Sequence, residues 1–130
     1  NLPSDQFALF SSGPMAVRGL REPGDFDVLV SKSLWSELSL KYPVKQSWHG
    51  GKIKGIAQEI DAYDTTAAPI PAEELIERAD VIDGIRYVKL EDVVAAKRIE
   101  AREKDLRDIR IIEDYLKSAN WQGRSLTVDI

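Results

Sequence analysis

The 130-residue sequence contains no cysteine, only one histidine and only one methionine. Without cysteine, the chain cannot form a disulfide framework or a cysteine-ligated metal site, and it is compatible with a reducing compartment. No apolar run is long enough to span a bilayer, and no signal-peptide pattern opens the sequence. We therefore expect a cytoplasmic protein without membrane contact.

An excess of positive charge is also lacking, because 18 Lys and Arg residues stand against 22 Asp and Glu residues and the net charge is −4. General nucleic-acid binders are usually basic, so this balance argues against that role. The hydrophobic fraction of 43% and the charged fraction of 31% are typical of a soluble globular protein. The length predicts a single domain over 1–130, with 1–6 and 119–130 peripheral. The sequence does not begin with Met and starts almost directly on its first strand, so we expect a trimmed chain or a fragment.

The most informative stretch of the sequence is 7–30. It reads as a short apolar strand over 7–10, a turn of small residues, and a short helix predicted over 14–20 that Pro23-Gly24 breaks. A second strand is predicted over 25–30. Because side chains alternate along a strand, Asp25 and Asp27 share one face of it. Two acids at the start of a buried strand are costly unless a cation or hydrogen-bond donors offset them, and carboxylate oxygens suit Mg²⁺.

The rest of the sequence predicts further helices and strands. Ser31 or Ser33 is expected to cap a helix that ends near 41, with an apolar face of Leu34, Trp35, Leu38 and Leu40. A strand over 44–48, a turn over 49–51 and one longer strand over 52–63 follow. The later elements predicted are a loop (65–70), a helix (71–79), a hairpin around Asp83-Gly84 (81–88), two helices (91–101 and 104–118) and an irregular tail with a candidate edge strand at 126–128.

The order of the features in 7–30 resembles that of the nucleotidyltransferase superfamily, whose members carry a Gly-(Gly/Ser) turn, a spacer and an Asp-hydrophobic-Asp strand. Within it, the chain is most similar to small bacterial and archaeal proteins of the minimal or AbiEii-toxin-like kind. Residues in the matching order are Ala16, Arg21, Asp25 and Asp27. One departure is that Ser11 or Ser12 replaces the family's first Gly, which strains a turn that needs positive φ.

Two later blocks extend the resemblance to about 7–117. Residues 88–97, Val-Lys-Leu-Glu-Asp-Val-Val-Ala-Ala-Lys, look like the family's strand followed by Leu-x-Asp-Leu and a Lys. Residues 102–109, Arg-Glu-Lys-Asp-Leu-Arg-Asp-Ile, look like its Arg-x-Lys-Asp-Leu-x-Asp-Ile block. The resemblance implies an α/β fold of the α+β type, in which helices flank a small, mixed, twisted sheet of the polymerase-beta-like kind.

The resemblance also implies a reaction: transfer of a nucleoside monophosphate from an NTP to an acceptor hydroxyl with two Mg²⁺ ions. Asp25 and Asp27 would ligate the metal. Asp61, in Ile60-Asp61-Ala62, would be the third carboxylate of the superfamily, both a metal ligand and the general base on the hydroxyl. Glu59 and Asp64 are the alternatives for that third position.

Six further residues are expected to bind the nucleotide. The hydroxyls and backbone N–H groups of Ser11, Ser12 and Gly13 would hold phosphate oxygens. The candidate cations are Arg21, Lys97 and Lys104. Arg21 stands four residues before Asp25, and Lys97 falls on the apolar face of a helix, an unusual place unless its ammonium meets a phosphate or an acid.

The sequence does not identify the acceptor, which could be a tRNA end, a protein side chain or a small molecule such as an aminoglycoside. A second hypothesis is a catalytically degenerate member of the fold that acts as a nucleotide-binding or protein-interaction module, with a partner protein in a toxin–antitoxin pair. A third is a nucleotide-sugar glycosyltransferase, which also uses Asp-x-Asp with a metal, although 130 residues is short for that class.

Overall fold

The computed structural model describes residues 3–22, 24, 26–47, 50–57 and 60–128, with side chains described for the same residues except 57 and 120–128. The strands are β1 (Phe7–Phe10), β2 (Phe26–Val30), β3 (Lys45–Gln46), β4 (Gly51–Ala57), β5 (Ile60–Tyr63), β6 (Asp80–Ile82) and β7 (Ile85–Tyr87). The helices are α1 (Gly13–Ala16), α2 (Lys32–Lys41), α3 (Ala72–Glu77), α4 (Leu90–Glu100) and α5 (Glu103–Val128).

The strands of the described part of the chain form one mixed sheet in the order β3-β4-β5-β2-β1-β7-β6. Strand β2 runs antiparallel to β1 and parallel to β5, and β1 runs parallel to β7. The pairs β3-β4, β4-β5 and β6-β7 are antiparallel. The predicted mixed sheet with flanking helices is therefore present.

Alternation along the strands produces an apolar core on each face of the sheet. On one face, Ala8 and Leu29 pack with buried residues of α3, α4 and α5. On the other face, Val28 and Val30 pack with Leu34 of α2 and with buried residues of β4 and β5. Helix α2 begins as predicted, because the Ser31 hydroxyl accepts a hydrogen bond from the N–H of Leu34. Within the described residues, no helix has the length and apolarity needed to cross a membrane.

The first helix is shorter than predicted. Helix α1 covers only Gly13–Ala16, because the chain turns back at Gly19, where φ is +74°. The N–H groups of Gly19 and Leu20 donate to the carbonyls of Ala16 and Met15, which are the two hydrogen bonds of a Schellman motif. Gly19 therefore ends the helical segment that was expected to reach residue 20.

The single strand predicted over 52–63 is wrong, because the structure divides it into β4 and β5, which pair antiparallel. The pairing register shifts between Ile53 and Ala57, and Gly55 within this irregular stretch has φ +66°. A glycine at positive φ is typical of a β-bulge, and it marks this stretch as an irregular strand. Of the strand predicted over 44–48, residue 48 lies outside the described residues, and within 44–47 the strand covers Lys45–Gln46.

Two other local expectations also fail. The irregular tail with an edge strand at 126–128 is wrong, because α5 continues to Val128. Leu40, expected on the apolar face of α2, is 90% exposed. The hairpin around Asp83-Gly84 is confirmed, and both turn residues have positive φ, as a type I′ turn requires.

Candidate active site

Two of the predicted metal ligands lie side by side in the sheet. Asp27 and Asp61 are register partners on the parallel strands β2 and β5, so their side chains project from the same face at a strand spacing of about 4.8 Å. The strand that carries Asp61 therefore adjoins the strand that carries Asp27. Asp25 lies outside the described residues, so its convergence with Asp27 stays a prediction.

The serine turn lies at the same end of the sheet as this acidic pair. Phe10, the last residue of β1, is the register partner of Asp27, and Ser11, Ser12 and Gly13 follow it directly. Ser11 has φ +62°, whereas Ser12 has an ordinary φ of −80°. A Cβ on Gly13 would come within 3.0 Å of the Leu9 Cβ, so a larger residue there would force a shift. Ser11 is therefore the residue that occupies a position suited to glycine.

Replacing Ser11 with Gly is expected to raise the free energy of unfolding by about 1 kcal/mol, because the left-handed conformation costs a residue with a Cβ about that much. Ser12→Gly is the matched control, and it should not stabilise, because Ser12 already has an unstrained backbone. Urea unfolding of both variants measures the difference. Equal effects of the two substitutions would contradict the assignment of strain to Ser11.

A lysine that was not among the predicted site residues lies against the acidic pair. The Lys52 Nζ is 3.8 Å from Asp61 Oδ2 and 5.2 Å from the centroid of the Tyr63 ring. A hydrogen bond with Tyr63 raises the pKa of Lys52 against the opposing effect of burial, and the charges of Asp61 and Asp27 raise it further. Tyr63 packs edge-on against Phe10, with ring centroids 5.2 Å apart. Burial is the main reason that the pKa of Tyr63 is also raised.

Strand β4 also orients the Asp61 carboxylate. The N–H of Gly55, freed by the irregular register, donates a 2.9 Å hydrogen bond to Asp61 Oδ1, while Oδ2 faces Lys52. Each carboxylate oxygen can accept more than one interaction, so these contacts leave acceptor capacity for a cation. Only the division of 52–63 into two strands brings these donors beside Asp61.

The predicted phosphate-binding cations Arg21 and Lys97 meet at one carboxylate. Lys97 is 5% exposed, and its Nζ lies 3.0 Å from Asp108 Oδ2 and 3.6 Å from Asp105 Oδ1. Arg21 donates to the same Asp108 oxygen at 2.7 Å. Lys97 is therefore buried, as its place on the helix predicted, but its contacts in the structure are acids of α5. Lys104 is exposed in the first turn of α5.

Lys97 also approaches the serine turn. Together with Phe10, Ser11 and Asp92 it lines a recess of about 30 Å³ between the end of β1 and α4. Such a recess holds roughly one or two waters, so it is too small for a nucleotide. A nucleotide would instead have to lie on the open side of the Asp27–Asp61 pair. A larger groove of about 620 Å³ lies on the opposite face of the sheet, and its lining is mainly apolar.

Asp105 is the third residue of α5. It accepts a hydrogen bond from the backbone N–H of Arg102 at 3.1 Å, as the third residue of a capping box does, and another from the Arg102 Nε at 2.7 Å. Asp105 is fully buried, and burial by itself pushes its pKa up. The hydrogen bonds and charge of Arg102, with the charge of Lys97, outweigh that effect and hold the pKa of Asp105 below its usual range.

This lowered pKa predicts how stability depends on pH. Because the pKa of Asp105 is lower in the folded state, its contribution is present above the unfolded value of about 4 and is lost as pH falls through the folded value. Arg102→Met should therefore reduce stability at pH 7, and its curve of unfolding free energy against pH should converge with the parent curve in acid. Arg107→Met, which removes an exposed partner of Glu103, is the control and should change little. A constant offset between the Arg102→Met and parent curves at all pH values would contradict this account.

Of the two alternatives for the third carboxylate, the structure describes only Asp64. Asp64 lies beyond the other end of β5, and its Oδ1 accepts a 2.8 Å hydrogen bond from the N–H of Gly51. It is therefore engaged away from Asp27. Glu59 lies outside the described residues. Among the described residues, no group of three or more His, Asp or Glu side chains is arranged to hold a metal ion, and Asp25 is not among those residues.

The site therefore combines two in-register carboxylates, a lysine ammonium beside one of them and a serine turn at the same sheet end. Carboxylate oxygens are the ligands that Mg²⁺ prefers, so the donor set suits that ion. Comparison of the chain with protein-family models, with curated proteins and with solved structures finds no match.

Proposed function

We propose that this chain has the nucleotidyltransferase fold and transfers a nucleoside monophosphate from an NTP to an acceptor hydroxyl with Mg²⁺. The observation that carries the proposal is the pairing of Asp27 with Asp61 on neighbouring parallel strands. Two carboxylates at that spacing repel each other, and a divalent cation between them would turn the repulsion into ligation. The resemblance of 7–30 to the superfamily supplies the reaction class.

Each acidic residue has a role in this proposal. Asp27, with Asp25, would ligate the cations, and Asp61 would ligate one of them and accept the proton of the acceptor hydroxyl. The hydroxyl oxygen forms a bond to the α-phosphorus, and the bond from that phosphorus to pyrophosphate breaks. When bound, two Mg²⁺ ions would neutralise the charge that develops on the phosphate oxygens.

The nucleotide would be held by the residues around this pair. The turn of Ser11, Ser12 and Gly13 begins one residue after the partner of Asp27, which supports its proposed contact with phosphate oxygens. Arg21 is partly exposed and Lys104 is exposed, so both side chains are accessible from solvent. Lys97 shares the small recess with Ser11, and its proposed phosphate role requires that its ammonium shift from Asp108.

A specific observation favours a second candidate, the catalytically degenerate module. Asp61 already accepts the Gly55 N–H and faces the Lys52 ammonium, which is an arrangement that stabilises a carboxylate without metal. Ser11 at positive φ is a further departure from the family pattern. In this second candidate the chain binds a nucleotide or a partner protein, as in a toxin–antitoxin pair, and no transfer occurs.

The two candidates are separated by incubating the protein with each common NTP labelled at the α-phosphate, in Mg²⁺, against tRNA, protein and small-molecule acceptors. Transfer labels one acceptor and is abolished by EDTA. The degenerate module predicts nucleotide binding with no labelled acceptor in any mixture. Binding of neither nucleotide nor Mg²⁺ would contradict both.

A further inference from the structure

Lys52 places a positive charge beside the acidic pair. Its Nζ is 3.8 Å from Asp61 Oδ2, and Asp61 is the register partner of Asp27. The side chains of Lys52 and Asp61 are 28% and 21% exposed, so both lie in a partly desolvated site where charges interact more strongly than in water. Lys52 thus offsets part of the repulsion between Asp27 and Asp61.

The ring of Tyr63 is a second interaction partner of the Lys52 ammonium. Its ammonium lies over the Tyr63 ring at 5.2 Å from the centroid, close enough for a cation–π interaction. Lysine has a flexible four-carbon stem and a compact charge, so a small rotation can take the ammonium away from Asp61 while it stays over the ring. Asp61 would keep its orientation during that movement because the Gly55 N–H still holds Oδ1.

We propose that Lys52 is a built-in counter-cation of the Asp27–Asp61 pair, which a divalent cation must displace in order to bind. This inference rests on the proposed function, because it takes the acidic pair as the cation site. Lys52 therefore keeps the acids compatible with the fold when no metal is bound, and it lowers the affinity for metal in the absence of nucleotide. Lys52 is a positioning residue here, because it acts through Asp61.

The test is titration of the protein with Mn²⁺ alone, without nucleotide, monitored by electron paramagnetic resonance. Lys52→Met should bind Mn²⁺ about tenfold more tightly than the parent, because a positive charge within a few ångströms of the bound ion has been removed. Lys52→Arg keeps the charge and should bind like the parent. Lys41→Met removes the same charge from α2, on the other face of the sheet, and should also leave the affinity unchanged.

Thermal unfolding provides a second readout. Without metal, Lys52→Met should melt at a lower temperature than the parent, and saturating Mn²⁺ should raise its melting temperature by more than it raises that of the parent. Should Lys52→Met fail to fold, Lys52→Gln is measured in its place under the same criteria.

The outcomes separate this inference from the proposed function. If Mn²⁺ binding requires Asp27 but Lys52→Met has the parent affinity, the counter-cation role is wrong and the cation site stands. If Lys52→Met binds more weakly than the parent, Lys52 supports the site and does not compete for it, which also overturns the inference. If neither the parent nor any lysine variant binds Mn²⁺, the inference and the proposed function both fail.

Discussion

Replacing Lys97 with Met is expected to lower the free energy of unfolding by about 3 kcal/mol, because removal of one partner of a buried ion pair leaves the other charge uncompensated. Lys97 is 5% exposed and Asp105 is fully buried, so water cannot replace the lost ammonium. Arg21 and Arg102 still contact Asp108 and Asp105, which holds the loss at the lower end of the usual range. Methionine has a similar length and fills most of the volume, so the effect reports charge more than packing.

Chemical denaturation of Lys97→Met measures this loss. Lys104→Met is the matched control, because Lys104 is exposed on the neighbouring helix and its loss should change stability by less than about 0.5 kcal/mol. The double variant Lys97→Met with Asp108→Asn should recover part of the loss, because it also removes one of the two carboxylate charges that Lys97 had partly neutralised. A Lys97→Met protein as stable as the control would show that the buried cluster does not depend on Lys97.

Replacing Asp27 with Asn should weaken divalent-cation binding by about 100-fold or more, because a neutral amide replaces a charged ligand. Substitution of a residue that only orients a metal ligand already weakens metal binding by about 10- to 100-fold. The fold should stay intact, and without metal the loss of repulsion with Asp61 should favour stability. Calorimetric titration with Mg²⁺ measures the affinity. Asp83→Asn is the control, because Asp83 is exposed in a turn at φ +51°, a conformation that Asn tolerates.

Asp61→Asn tests the second acid and its distinct role. It should also weaken cation binding, but NTP binding through the remaining groups should persist while transfer falls by about 10²–10⁴-fold, the usual contribution of a general base. Since Asp61 also faces Lys52, a modest loss of stability is expected in Asp61→Asn. Transfer at the parent rate would rule out Asp61 as the base, and Glu59 would be tested next.

The parts of the fold that the sequence predicted depend on local patterns. The strand over 26–30 follows alternation, α2 begins after a serine that caps it, and the hairpin turn has the Asp-Gly pair that its dihedral angles require. The failures have non-local or competing causes. The run 52–63 has continuous strand character, and only the pairing of β4 with β5 reveals the break.

The sequence predicted the acidic residues of the site better than its cationic residues. The superfamily pattern predicted Asp61 as the third carboxylate, and the structure makes it the register partner of Asp27. Lys52 was missed because its contact with Asp61 depends on the antiparallel pairing of β4 with β5. The position of Lys97 on an apolar helix face predicted a buried partner, but only the packing of α4 on α5 shows that this partner is Asp108.

The most direct test of the central claim is the anomalous scattering of Mn²⁺ soaked into crystals of the protein. The account predicts an anomalous peak bound by carboxylate oxygens of both Asp27 and Asp61, at about 2 Å as for other small divalent ions with oxygen ligands. The Lys52 ammonium should then have moved away from Asp61. Mn²⁺ peaks elsewhere on the protein, with none between Asp27 and Asp61, would contradict the assignment of this pair as the cation site.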